Sequence, residues 1–172
     1  MNTEIKNDFD ALLDKHDENV KQDGIKESEK KSVQDVFGSE FERITNEIIR
    51  PAMVELGESM KSRGHTYDIT TGKEEIDPRM NFYRKYNSIS MPVRPSGIAP
   101  NLFDRGDTPY IRFSGNKESK KVEIYESTMR PLHGGSAGAG PSVEIGQITY
   151  DYVQRAIVNW LKKVLDLQRF HY

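Results

Sequence analysis

Residues 148–167 read ITYDYVQRAIVNWLKKVLDL, the most strongly apolar helical pattern in the chain, and they hold its one tryptophan. Val153, Ala156, Ile157, Trp160, Leu161, Val164 and Leu167 recur at steps of three and four. They gather on one broad face, while Gln154, Arg155, Lys162 and Lys163 point elsewhere. Burying each large side chain is worth about 1.5–3 kcal/mol, so the rest of the chain must supply a cover for this face. Thr149 stands at the position of an N-cap.

Working back from this helix, Val143 and Ile145 follow a glycine-rich passage, PLHGGSAGAGPS, over residues 131–142. Before it, Tyr110–Ser114 and Lys121–Glu126 form the clearest hairpin pattern. Gly115-Asn116-Lys117-Glu118-Ser119 joins them, and Ile111 and Phe113 are set against Val122 and Ile124. The tract from Pro92 to Pro109 carries Pro92, Pro95, Gly97, Pro100, Gly106 and Pro109, which predicts a long surface loop rather than a helix or a central strand. Met80–Tyr86 and Ser88–Val93 read as extended, with Asn87 marking a bend or bulge. Ahead of them Tyr67 and Ile69 alternate with polar residues up to a turn signal at Thr71-Gly72-Lys73.

A second long helix is predicted from an N-cap at Ser32, with Val33, Phe37, Phe41, Ile44, Ile48, Ala52, Leu56 and Met60 at helical steps. Pro51 lacks an N–H and clashes with the preceding turn, so a kink or break is expected near Arg50. Lys61-Ser62-Arg63-Gly64 supplies cations for the last turn and a glycine to end it. The order is helix, antiparallel strands, helix. It predicts one α+β domain over residues 32–172, in which an antiparallel sheet of about four to five strands has both long helices packed on one face.

Residues 1–31 are expected to form a charged, flexible arm. Ile5, Phe9, Leu12 and Leu13 share one helical face within EIKNDFDALLDKH, a segment too short to be a stable helix alone in water. The mixed-charge tract DENVKQDGIKESEKKS then reads as a linker. The arm holds nine Asp/Glu and six Lys/Arg, against totals of 27 and 25, so it carries about −3 and the remainder about +1.

Composition narrows the classes of function. The 172 residues are 35% hydrophobic and 30% charged, with a mean hydropathy of −0.75. No run approaches a membrane span, and MNTEIKNDFD lacks the basic start and apolar stretch of a secretory signal, so a cytoplasmic protein without membrane contact is expected. The absence of cysteine excludes a disulfide framework, a thiolate zinc site and a thiol nucleophile.

Several motifs invite chemistry. Gly134-Gly135-Ser136-Ala137-Gly138 matches G-x-S-x-G, with Asp151 and His171 following in the order of a serine hydrolase. A nucleophile elbow needs a strand running directly in and a helix directly out, whereas Arg130-Pro131 precede and Ala139-Gly140-Pro141 follow. The N–H groups of Gly134, Gly135, Ser136 and Gly138 can be read as a weak anion nest, although no lysine follows as in a P-loop. His16, His65, His133 and His171 are scattered, and none has a ligand partner three or four residues on, so no metal or other cofactor is expected. Arg79, Phe82, Tyr83, Arg84, Lys85 and Tyr86 interleave bases with rings on a strand. With 12 Lys/Arg against 8 Asp/Glu between Lys61 and Tyr125, they suggest a single-stranded nucleic-acid platform.

No nucleophile, base and orienting group come together in the sequence. The leading expectation is a non-enzymatic accessory protein that engages a protein partner or a second copy of itself through Ile5, Phe9, Leu12 and Leu13. Single-stranded nucleic-acid binding by residues 79–86 is the alternative. A small-ligand cavity lidded by the loop Pro92–Pro109 ranks third.

Overall fold

The computed structural model describes residues 3–76, 84–105, 107–131 and 134–166. The chain divides into two units, Met1–Val36 and Phe37–Tyr172. Helix α1 spans Thr3–Ile44 and is followed by a π-helical turn, Thr45–Ile49, and by helix α2, Arg50–Lys61. The tract expected as a linker is therefore helical, and Ser32 lies inside α1 rather than capping a new helix. Asp17 precedes Lys21 and Glu27 precedes Lys31 by four residues, the favourable order for helical pairs, but the like-charged Asp23–Glu27 and Lys26–Lys30 and the flexible Gly24 offset them, so local charge order by itself does not account for the helix.

At Pro51 the helix widens instead of breaking. The N–H of Arg50 donates to the carbonyl of Thr45, five residues back, and Pro51 begins the next helical stretch, where its missing N–H is tolerated. The extra residue in this turn shifts the buried face. Phe37, Phe41 and Ile44 are buried before it and Ile49, Ala52, Met53 and Met60 after it, while Ile48, expected in the core, is only partly buried. Gly64 ends α2 with a φ of 87°, and the His65 N–H returns to the carbonyl of Met60.

The sheet begins as one long antiparallel ribbon. β1 (Thr66–Tyr67), β2 (Thr70–Gly72) and β3 (Glu75–Ile76) run against β4 (Arg84–Lys85) and β5 (Ser88–Arg94) in unchanged register, from Thr66↔Arg94 through Thr70↔Ser90 to Ile76↔Arg84. The reversal thus falls between Ile76 and Arg84, and Thr71-Gly72-Lys73 is not the turn. Asn87 adds no residue to the register, and its Oδ1 accepts the N–H of Glu74 at 2.8 Å. Pro92 sits inside β5, contrary to expectation. It falls opposite the gap between β1 and β2, where Asp68 donates its N–H to the Pro92 carbonyl and no return bond is required.

β5 pairs with β6 (Tyr110–Asn116), β6 with β7 (Lys121–Ser127), and β7 with β8 (Ala137–Glu144), all antiparallel. The hairpin between β6 and β7 is the one expected, and it puts Phe113 directly opposite Ile124. Short 3-10 turns occupy Pro100–Arg105 and Ile145–Gln147, before helix α3, Tyr150–Asp166. Thr149 caps α3 by accepting the Tyr152 N–H on its hydroxyl at 3.2 Å. The second half of the glycine-rich passage, residues 137–142, is strand rather than loop. β8 is the exposed edge, interrupted by a bulge where Gly140 and Pro141 lie opposite Ile124. Proline, glycine and a bulge all weaken an edge as a template for further pairing.

One face of the sheet carries Ile89, Met91, Val93, Ile111, Phe113, Val122 and Ile124. These form a single buried cluster with Phe41, Ile44, Ile49 and Met53 of the first helices and Val153, Ile157, Trp160 and Val164 of α3. All but Ala156 and Leu167 of the face expected for α3 is buried; Ala156 is partly covered and Leu167 lies outside the described residues.

Two glycines mark close approaches. A Cβ at Gly115 would lie 2.5 Å from the ring of Phe41, and one at Gly57 would lie 2.3 Å from the ring of Tyr67. Phe41 is fully enclosed, whereas Tyr67 is partly exposed and can swing outward. Gly115→Ala is therefore expected to cost about 1–3 kcal/mol through overpacking, and Gly57→Ala less, as read from urea unfolding midpoints of the two variants.

Candidate functional site

In the first unit, Ile5, Phe9, Leu12 and Leu13 stand 58%, 53%, 65% and 42% exposed, and Val20 on the same helical face is 56% exposed. At 100° per residue these five side chains fall within about a third of the helix circumference. Asp8 and Lys15 flank one margin of the stripe, Lys6, Asp10 and Asp17 the other, and His16 falls within it. Ile25, Val33 and Val36 are also exposed but lie on other faces. Within α1 the stripe ceases after Val20, so the segment that carries it is short and continuous.

In the second unit, the alternation that turns Ile89, Met91, Ile111, Phe113 and Ile124 inward turns Tyr86, Ser90, Tyr110, Arg112, Glu123 and Tyr125 to the opposite face of the sheet. Arg112 is central. Its Nε donates to Ser90 Oγ at 2.9 Å, and its guanidinium lies 4.9 Å from the centre of the Tyr110 ring. Tyr125 stands across from Arg112 on β7 and donates its hydroxyl to Glu123 at 2.7 Å. Glu123 in turn accepts from Asn116 Nδ2 at 2.8 Å. The hydrogen bond to Glu123, aided by partial burial, pushes the Tyr125 hydroxyl up to about 12.

Of the residues expected to form a nucleic-acid platform, Arg79, Phe82 and Tyr83 lie outside the described residues. Arg84 and Lys85 form β4, and Tyr86 stands on the outward face close enough to act electrostatically on Tyr125. Sequence reasoning missed Tyr110, Arg112 and Tyr125. The signal was present, since the hairpin pattern that sends Ile111, Phe113 and Ile124 inward necessarily sends their neighbours outward.

The glycine loop does not present the expected nest. Gly134 donates its N–H to the Arg130 carbonyl at 3.2 Å. Ser136 donates its N–H to Thr128 Oγ1 at 3.1 Å. Gly138 is paired with Glu126 inside β8. These groups close the β7–β8 connection, and the Ser136 hydroxyl faces Thr128 Oγ1 at 3.3 Å. Asp151 pairs with Arg155 at 2.9 Å, and His171 lies outside the described residues.

Among the described residues no cluster of three or more histidine or carboxylate side chains could hold a metal ion, and no helix is long and apolar enough to cross a membrane. No protein-family model matches the chain, and neither a curated protein nor a solved structure matches it.

The hydrogen bond to Glu123 has a pH signature. Raising the folded-state pKa of a tyrosine favours its neutral form, so this stabilisation is complete below the ordinary tyrosine value near 10 and is lost as pH rises toward about 12. Carbon-13 NMR of ring-labelled tyrosine should show Tyr125 ionising well above an exposed tyrosine in the wild type. Glu123→Gln, which removes the anionic acceptor, should bring it down.

Proposed function

We propose that the protein is a non-enzymatic, cytoplasmic accessory protein that docks onto a different protein through the first turns of α1. The stripe of Ile5, Phe9, Leu12, Leu13 and Val20 supports this reading: five large apolar side chains share one helical face and are each more than two-fifths exposed. Each gains about 1.5–3 kcal/mol when buried, and a helix laid in an apolar groove buries such a row together. Charge chooses the occupant. Between Ile5 and Val20 the chain carries Asp8, Asp10, Asp14, Asp17 and Glu18 against Lys6 and Lys15. The segment therefore carries about −3, so two copies packed through it repel, whereas a groove rimmed by Lys and Arg would gain from the same net charge.

Paired affinity purification with the full chain and with a Phe9→Asp, Leu12→Asp variant tests this. Any protein recovered by the wild type alone is then purified and titrated against both. The expected result is a stoichiometric complex that weakens as salt rises and loses affinity by at least about a hundredfold in the variant. An identical set of partners for both baits would reject the reading. So would a wild-type homodimer, seen by sedimentation, that the variant abolishes.

The grouping of Tyr86, Tyr110, Arg112 and Tyr125 favours a second reading, in which the outward face of the sheet binds single-stranded nucleic acid. Rings fixed by Arg112 and Glu123 can stack bases while the guanidinium meets phosphate. Fluorescence anisotropy with labelled oligouridine and oligothymidine should then show binding that falls steeply with salt. Arg112→Ala with Tyr125→Ala should weaken it at least about tenfold, since one stacked base is worth about 1–3 kcal/mol. Unaltered binding by that variant would exclude the face.

A further inference from the structure

A cleft of about 400 Å³ opens between the π-helical turn and the β2–β5 edge of the sheet, wholly within the second unit. The helical wall brings Glu42, Thr45 and Arg50. The sheet wall brings Lys73, Asn87 and Ser88. Its volume is in the range of small-molecule sites, and none of the preceding readings uses it.

Three features of the lining point to an anion. Arg50 and Lys73 approach from opposite walls, and among the described residues neither is engaged by a carboxylate, so two cations face a cleft containing only Glu42 in return. Asn87 is oriented. Its Oδ1 is occupied by the Glu74 N–H at 2.8 Å, which leaves its Nδ2 hydrogens to donate elsewhere. Thr45 is more than nine-tenths buried, yet its hydroxyl has no hydrogen-bond partner among the described residues. A helical threonine ordinarily bonds the carbonyl one turn back, and leaving a buried hydroxyl unmet costs about 1–3 kcal/mol. This exception stands at the first residue of the π turn, an irregularity that often accompanies function. The turn exists because Pro51 cannot donate to the helix before it, and the widening places Thr45 and Arg50 together on the cleft wall.

We infer that this cleft binds a small phosphate-bearing molecule. Arg50 and Lys73 neutralise a dianionic phosphate from two sides, Asn87 Nδ2 and the Thr45 hydroxyl donate to its oxygens, and Glu42 accepts from a hydroxyl elsewhere on the ligand. Because no residue of the site belongs to the stripe on α1, the inference stands whether or not that stripe docks on a partner.

The test is a nitrogen-15 NMR titration of the full chain with inorganic phosphate and with glycerol 3-phosphate, each against sodium chloride at matched ionic strength. Saturable shifts are expected at Thr45–Arg50 and at Gly72, Lys73, Asn87 and Ser88, with glycerol 3-phosphate binding more tightly through its hydroxyls. Arg50→Gln with Lys73→Gln should weaken both ligands at least about tenfold. Thr45→Val keeps the side-chain volume and removes the unmet hydroxyl, so it should leave the thermal midpoint equal or higher while binding weakens. Shifts reproduced by sodium chloride alone, or binding undiminished in either variant, overturn the assignment.

Discussion

The hydrogen bond from Trp160 Nε1 to the carbonyl of Ser127, at 2.9 Å, is the constraint on which the second unit depends. The apolar face of α3 could slide along a greasy sheet at little cost, because hydrophobic burial has no direction. The indole N–H does have direction. Fully buried, it must find an acceptor, and the one it finds is at the end of β7, so the polar atom of an otherwise apolar face sets the helix's position along the strand. Outside the core the same register brings Lys163 to Glu126 at 2.6 Å, an exposed pair that adds little stability but agrees with the placement. At the other end of α3, Gln154 Nε2 donates to Glu55 of α2 at 2.9 Å, so the two helices are held in register with each other as well.

Pro51 imposes the second constraint, and its effect is a change of phase. A straight α-helix from Phe37 to Met60 would carry its apolar face steadily around the axis. The π turn adds one residue, moving the buried set from the line of Phe41 and Ile44 to that of Ile49 and Met53. Both lines then meet the same sheet. The wide turn also leaves Thr45 with a buried hydroxyl that the helix does not satisfy, so the irregularity that solves a packing problem creates a polar one beside a cleft.

The elements legible in the sequence were those in which local pattern and tertiary packing agree. The α3 face, its Thr149 cap, the β6–β7 hairpin and the Gly64 terminus were all readable because periodicity and end chemistry point the same way. The rest misled for identifiable reasons. Thr71-Gly72-Lys73 has turn chemistry, but the pairing of β2 with β5 carries the strand through it. Pro92 argued against a central strand, yet its missing donor falls in the break between β1 and β2, a coincidence of register invisible without the partner strand. Gly138 and Gly140 looked like loop, but an edge strand tolerates what a central one would not. The arm looked like linker because its apolar periodicity ends at Val20 and its charges include both favourable and unfavourable helical pairs. The candidate sites were less legible still. Tyr110, Arg112 and Tyr125 belong to different sequence contexts, and Arg50 and Lys73 meet only because a π turn faces a sheet edge.

What remains outside the core is chemically divided. The α1 stripe is apolar on a segment of net negative charge, the outward sheet face is aromatic about Arg112, and the cleft is lined by two cations and oriented donors. A ligand suited to one is poorly suited to the others: an anion small enough for the cleft offers nothing to bury against Phe9 and Leu12, and a basic groove that accepts the stripe is repelled by Arg50 and Lys73. Any recognition at these places would discriminate by repulsion as well as attraction. The division follows from the fold, since the inward side chains of β5, β6 and β7 are committed to the helices that cover them. Chemistry has been left to a helix face, a sheet back and a turn where the backbone hydrogen-bond pattern changes.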